Sequence, residues 1–262
     1  MYRSKTYQVR PLIDILEDIQ RASYYLKKIS DVPHKAFICD GDALGAPMSI
    51  LIATLKELQK EFPDLRRVGI YATARNILEK TVDELKALND LRLGIAYLGL
   101  ESGDDQVLKM VAKGNNAQEM REASLKIKEA GFKLSTIAML GLGGKEHSSS
   151  HALNTAKLVS ETSPHFFSLL TTCALPQTPY KAMIDKGFIS PLSSKGLLKE
   201  MFEILSGIQP KDNSIIFRAN HVSNMFPLAG VLPRDKEAIL SVLEQWIKET
   251  PEDLYPDLPL DL

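Results

Sequence analysis

A 262-residue chain that is 44% hydrophobic and 25% charged is globular in composition, long enough for one α/β barrel or two ordinary domains. Its net charge of −1 gives no electrostatic reason to expect nucleic acid, and no run of about 18 apolar residues offers a membrane span. The start, "MYRSKTYQVRP", lacks a signal-peptide core, while two distant cysteines, Cys39 and Cys173, exclude a disulfide framework and fit a reducing cytoplasm.

Strand-like and helix-like stretches then alternate. "PLIDILEDIQRASYYLKKI" (11–29) has helical apolar spacing with Pro11 in its first turn, and "KAFIC" (35–39) reads as a short buried strand. A helix over 47–62, a strand over 67–73, a helix over 79–89 and a strand over 91–100 follow. Helices at 104–112 and 117–130 come next, the second closed by Gly131 as its C-cap. A strand over 132–142, a Ser/His-rich helix to 162 and a strand over 165–175 continue the pattern. Such alternation with short connections implies parallel strands and right-handed crossovers, hence a doubly wound sheet or a barrel. Residues 176–220 are richer in Pro, Gly and Ser, with a helix at 194–208 and a strand at 213–219. A closing helix spans 235–249, and "TPEDLYPDLPLDL" reads as a loose acidic end. Chains of this class ordinarily open on a strand; this one passes from a basic polar stretch straight into a helix, as if the first strand were missing.

Ligands in parallel α/β folds sit beyond the carboxyl ends of the strands. The five predicted ends are Asp40-Gly41-Asp42-Ala43, Thr73-Ala74-Arg75-Asn76, Glu101-Ser102-Gly103-Asp104-Asp105, Gly141-Leu142-Gly143-Gly144-Lys145 and Pro176-Gln177-Thr178-Pro179. All are polar or carry Gly or Pro, which favours a functional mouth, although turns are built from the same residue types. Asp40 and Asp42 around a glycine suit a ligand ammonium. Glu101 and Ser102 suit a ribose diol, and "GLGG" leaves backbone groups uncovered for a flat ring or a phosphate.

Taken together, "CDGDALGAP", "YLGLESGDDQVLKMVAKG", "STIAMLGLGG" and "LLTTCALPQTPY" resemble the radical S-adenosylmethionine superfamily, over most of residues 1 to about 190. The resemblance implies a partial parallel barrel of the TIM type over 1–190, lacking its first strand, with a largely helical extension over 191–262 packed on it. It implies that Asp40, Gly41, Asp42 and Ala43 stand where the family holds the methionyl ammonium. Glu101 and Ser102 stand near the ribose or carboxylate end, and Met139, Leu140, Gly141 and Gly143 beside the adenine. Pro176 to Pro179 match the element that ends the family's sixth strand, which brings Thr178 among the substrate candidates. The C-terminal "FRANHVSNMFPLAGVLPRDKEAIL" is similar to that of one uncharacterised subgroup.

The departure is the family's CxxxCxxC, whose three thiolates bind a [4Fe–4S] cluster; this chain has no such motif and begins at the segment that follows it. Truncation, a mis-called start and real loss are all open. Members of the family cleave S-adenosylmethionine to a 5′-deoxyadenosyl radical for hydrogen abstraction, as oxidoreductases or group-modifying enzymes. The expectation is that a full-length form does so on an unknown substrate, whereas this chain holds no cluster and binds S-adenosylmethionine weakly or not at all. A non-enzymatic barrel binding a small molecule or protein, and a conventional barrel enzyme using Asp40, Asp42 and Glu101 for metal or acid–base work, stay open. Arg218, Asn220, His221 and Asn224 are either substrate contacts or a hydrogen-bonded loop. His147 and His151 lie one helical turn apart, but a serine-rich helix start accounts for them, and no metal site is assigned. The edge left at "KAFIC" would self-associate or be covered by "MYRSKTYQV" folding back.

Overall fold

The computed structural model describes residues 8–39 and 42–256. Its elements in order are α1 (Leu12–Lys28), β1 (Lys35–Ile38), a 3₁₀ turn (Ala43–Gly45), α2 (Met48–Glu61), β2 (Arg67–Ala72), α3 (Ala74–Glu79), α4 (Val82–Asp90), β3 (Leu93–Glu101), α5 (Asp105–Met110) and α6 (Ala117–Glu129). There follow β4 (Lys133–Leu140), α7 (Gly144–Thr162), β5 (Phe166–Thr171), α8 (Pro179–Asp185), α9 (Ser194–Gly207), β6 (Ile215–Ala219), β7 (Leu228–Leu232) and α10 (Lys236–Glu249). The strands form one seven-stranded sheet in the order β1-β2-β3-β4-β5-β6-β7. β1 is parallel to β2 and β2 to β3; β4 is parallel to β5 and β5 to β6; β7 turns back antiparallel on β6. This is an α/β fold with a mostly parallel sheet. Among the described residues no helix is long and apolar enough to cross a membrane.

The chain divides into two compact units, Met1–Leu98 with Glu122–Leu134, and Gly99–Arg121 with Ser135–Leu262. In the first, α2 buries Leu51, Leu55 and Leu58 along one face, each worth roughly 1.5–3 kcal/mol. Phe37 of β1 pairs with Gly69 of β2 and lies over it; a Cβ at Gly69 would sit 2.7 Å from the ring. Tyr71 and Tyr97 pack edge-on against Phe37, with centroids 4.8 and 5.1 Å away. The helix expected over 79–89 is α4, and the short α3 before it was not expected. α3 stops at Glu79, Lys80 is extended, and Thr81 opens α4 with a capping box completed by Glu84. Gly131 closes α6 at φ +89°, as the sequence predicts.

Among the described residues, the second unit contains all of 191–256. Phe167 and Phe217 are fully buried on neighbouring β5 and β6, 6.2 Å apart. α9 buries Leu198, Met201, Ile204 and Leu205 and packs against α7 and α10. β7 was not expected: Pro227, Gly230 and Pro233 read as loop. It forms because all five of its residues find partners on β6, a tertiary pairing that overrides weak strand propensity. α8 was missed as well, although Thr178 caps it and Pro179 starts it.

Candidate functional site

In the first unit, β1 leads through Cys39 toward Asp42, which precedes the 3₁₀ turn beginning at Ala43. Asp40 and Gly41 lie outside the described residues, as does nearly all of the stretch expected to fold back over β1. Thr73 caps α3 and so fixes Asn76, which is buried and donates its amide N–H to Asp42 Oδ1. Burial raises the Asp42 carboxyl above its ordinary value, opposed by the Asn76 hydrogen bond and by the charges of Lys80 and Arg75.

In the second unit, β3 ends on a tight three-residue turn. Ser102 N–H donates to Leu100 O at 2.7 Å with Glu101 at φ +60°, a region that costs a non-glycine residue about 1–3 kcal/mol. The Glu101 carboxylate folds back over Gly99, where a Cβ would lie 2.6 Å from Oε1, and Lys113 holds it at 2.8 Å. That pair is about three-quarters buried, so Glu101 keeps a solvent-facing side. Ser102 has none: it is fully buried, its Oγ 2.8 Å from His151 Nδ1, and it accepts from Asp104 N–H at 2.9 Å. Gly103 lies against the backbone of α7, where a Cβ would sit 2.3 Å from Asn154 O, and its N–H donates to Thr155 Oγ1. Asp104 caps α5 through Gln106 and Val107 N–H and accepts from Asn154 Nδ2. Burial pushes the Asp104 carboxyl up, but hydrogen bonds from Val107, Asn154, Ser150 and Gln106 outweigh it and hold the group below the ordinary carboxylate range.

β4 ends on a turn from Gly141 (φ +76°) to Gly144 (φ +62°), closed by Gly144 N–H to Gly141 O at 3.1 Å. The expectation that "GLGG" leaves its backbone uncovered is corrected: all four residues are buried and several of their polar groups are engaged. Gly141 N–H donates to Glu200 Oε1 at 2.6 Å, and Tyr180 OH donates to Gly141 O and Leu142 O at 2.9 and 3.2 Å. Burial raises the Tyr180 hydroxyl above its ordinary range, helped by the charges of Glu200 and Glu146. Glu200 and His151, 1% and 0% exposed, are polar residues inside the core of this unit. Both were missed as a pair. Glu200 falls on the apolar face of α9, three residues after Leu197 and four before Ile204, and an acid on an apolar stripe is a readable signal. Met139 is half-buried and Leu140 fully buried at the end of β4.

The substrate candidates also fall in this unit. Thr178 uses its hydroxyl on Leu175 O and on Lys181 N–H, as the cap of α8. Asn224 Oδ1 accepts from Thr171 N–H and Oγ1–H, and its Nδ2 donates to Leu169 O, so it pins the end of β5. His221 is exposed with Nδ1 2.9 Å from Ser223 Oγ, and Asn220 is exposed beyond β6. Arg218 pairs with Ser168 across β5 and β6 and alternates with buried Phe217 and Ala219, which leaves its side chain on the half-open face with Ile216. The structure thus joins Ser102 to His151 and Asn224 to Thr171, and leaves Arg218 and Asn220 exposed.

An α/β partial barrel with polar residues at the carboxyl ends of its parallel strands defines a class of ligand-binding and catalytic barrels. Within that class, the profile of the radical SAM superfamily matches residues 2–156, more than half of the chain, and the chain belongs to that superfamily. Among solved structures it is similar to Elp3 of the archaeon Methanocaldococcus infernus with an N-terminus deletion (1–46), with a TM-score of 0.62 and 15% identity, over 90% of this chain and 59% of that one. It is similar to the coproporphyrinogen III oxidase HemN of Escherichia coli, described as a radical SAM enzyme, with a TM-score of 0.57 and 16% identity, over 74% and 45%. It is similar to methylornithine synthase (PylB), with a TM-score of 0.51 and 15% identity, over 97% and 76%. At these identities the likeness shows the fold. The chain spans 59% and 45% of the Elp3 and HemN chains. No curated protein matches the sequence significantly.

The family's [4Fe–4S] cluster does not fit the residues present. It takes three thiolates, and the sequence has two cysteines, Cys39 in the first unit and Cys173 in the second. Among the described residues no group of three or more His, Cys, Asp or Glu side chains is arranged to hold a metal ion. Asp42 in the first unit and Glu101 in the second are each partly accessible carboxylates at or just beyond a strand end.

Proposed function

We propose that this chain is the S-adenosylmethionine-holding part of a radical SAM protein. The supporting observation is the family match over 2–156, within which Asp42, Glu101 and Met139–Gly143 all stand at or just beyond the carboxyl ends of their strands. By the family's pattern, Asp42 takes the methionyl ammonium, Glu101 takes the ribose hydroxyls, and Met139 and the Gly141 turn border the adenine. Ser102, being buried, acts through the position of Glu101. Arg218, Asn220 and His221 are the exposed polar groups left for an anionic or carbonyl substrate, while Thr178 and Asn224 are engaged in capping α8 and pinning β5.

Bound S-adenosylmethionine supplies, in this superfamily, a 5′-deoxyadenosyl group for hydrogen abstraction. That cleavage belongs to a form of the protein carrying the three cluster cysteines, and no step through a cluster is assigned to this chain. The cysteine count also favours a second reading, a relative that binds a small molecule or protein without chemistry. Anaerobic reconstitution with iron and sulfide, followed by dithionite and S-adenosylmethionine, tests the statement that no cluster chemistry belongs to this chain. The expected result is no stoichiometric cluster and no 5′-deoxyadenosine. About four irons per chain would overturn it.

A further inference from the structure

Glu200 lies on α9, outside the family span of 2–156, yet it touches the turn that ends β4. Its Oε1 accepts from Gly141 N–H at 2.6 Å and its Oε2 accepts from Ser148 Oγ–H at 2.5 Å. His151 Nε2 stands 3.8 Å from Oε1, too far for a hydrogen bond, and the buried ring is also acted on by the Met139 backbone and the charge of Asp104. Ser102 Oγ accepts from Asp104 N–H, and the tautomer that gives its own proton a partner has it donating to His151 Nδ1, 2.8 Å away, with the imidazole N–H on Nε2, 3.8 Å from the Glu200 carboxylate. A buried imidazole beside a buried acid feels the acid's charge strongly, because little water screens the pair.

We propose that Glu200 is the positioning residue of the Gly141–Gly144 turn, with His151 as its partner, and that its hold on Gly141 depends on its protonation. Ionised, the carboxylate takes the Gly141 amide as a charge-assisted hydrogen bond and attracts the Nε2 proton of His151. Protonated, it offers Gly141 an ordinary acceptor and loosens the turn. The other charged groups around Glu200 are few. Burial favours the protonated acid, Gly141 and Ser148 favour the carboxylate, Glu203 on the same helix adds a little to burial, and the balance lifts the group to about 7. Tyr180 of α8 and Glu146 of α7 lie near the same turn, and Lys236 of α10 is committed to the Ser206 and Ile208 carbonyls at the carboxyl end of α9. Any effect on ligand binding rests on the reading that this turn borders the adenine; the latch itself does not.

The test uses the full chain without ligand. Amide hydrogen exchange at Gly141, corrected for intrinsic rates, is followed by NMR between pH 8 and pH 6. Protection is expected to fall about tenfold as the pH drops, the difference between a charge-assisted and a neutral hydrogen bond. Glu200→Gln, which keeps the shape and one acceptor oxygen, should abolish that pH response, whereas Glu200→Asp should keep it in weakened form. A wild-type response identical to that of Glu200→Gln would overturn the proposal. Should Glu200→Gln fail to fold, the ¹³C-carboxyl titration of Glu200 in the wild type decides: a midpoint in the ordinary glutamate range would overturn it. Because no ligand is present, failure here leaves the S-adenosylmethionine reading standing, and success does not prove it.

Discussion

Buried side by side, Glu200 and His151 should contribute to stability with opposite dependence on pH. Glu200 is raised by burial from 4.5 to about 7, and His151 is lowered by burial from 6.5 to about 4. Each displacement converts to roughly 3 kcal/mol. For Glu200, the folded chain keeps a proton that the unfolded chain has lost, so stability falls as pH rises from 4.5 to about 7. For His151, the unfolded chain binds a proton that the folded chain refuses until about pH 4, so stability falls as pH drops from 6.5 to about 4. Between pH 4.5 and 6.5 the two contributions cancel in the wild type. Removing either should expose the other. Relative to wild type, His151→Gln should lose roughly 3 kcal/mol as pH rises from 4 to 6.5, and Glu200→Gln should gain roughly 3 kcal/mol as pH rises from 4.5 to 7. Urea denaturation across that range, followed by the fluorescence of the single tryptophan, Trp246, reads the unit that holds both residues. Differences from wild type that stay flat with pH, or that run with the reverse sign, would refute the reasoning.

Two further outcomes follow from geometry. Gly103→Ala drives a methyl group to within 2.3 Å of the Asn154 carbonyl oxygen in α7, and should destabilise the second unit by roughly 2–3 kcal/mol in the same denaturation assay; a change under about 0.5 kcal/mol would show that α7 gives way freely. β1 stands at one end of the sheet, and among the described residues β2 alone pairs with it, so sedimentation velocity should show self-association that rises with concentration and weakens in Phe37→Lys; a monomer at every concentration would contradict an active edge.

Periodicity and strand–helix alternation carried most of the fold. β1 to β6 and the long helices fall where apolar spacing places them, because each buries a face that the pattern encodes. The elements that escaped did so for two reasons, a partner remote in sequence or a local cap that was overlooked. β7 exists by pairing with β6, and the break between α3 and α4 turns on the Thr81–Glu84 box, a signal present in "TVDE" but overlooked. The polar strand ends were legible as residues, but not in their occupancy. Ser102 reads as a ligand group in "ESGDD", yet it is sealed by His151, 49 residues away. The glycine turn reads as open backbone, yet Tyr180 and Glu200 engage it from helices that no local motif connects to it. Long-range burial of polar groups leaves only a faint sequence trace, here one acid on the apolar stripe of α9.

Calorimetric titration of S-adenosylmethionine into the full chain tests the central claim most directly. With Asp42 and Glu101 to hold the ligand and no iron to anchor its amino and carboxylate groups, the account predicts a Kd between about 0.1 and 1 mM, roughly −5.5 to −4 kcal/mol, weakened further in Glu101→Gln. A Kd near about 1 μM would contradict the predicted weakness, and no heat at millimolar ligand would contradict the assignment of these strand ends to S-adenosylmethionine.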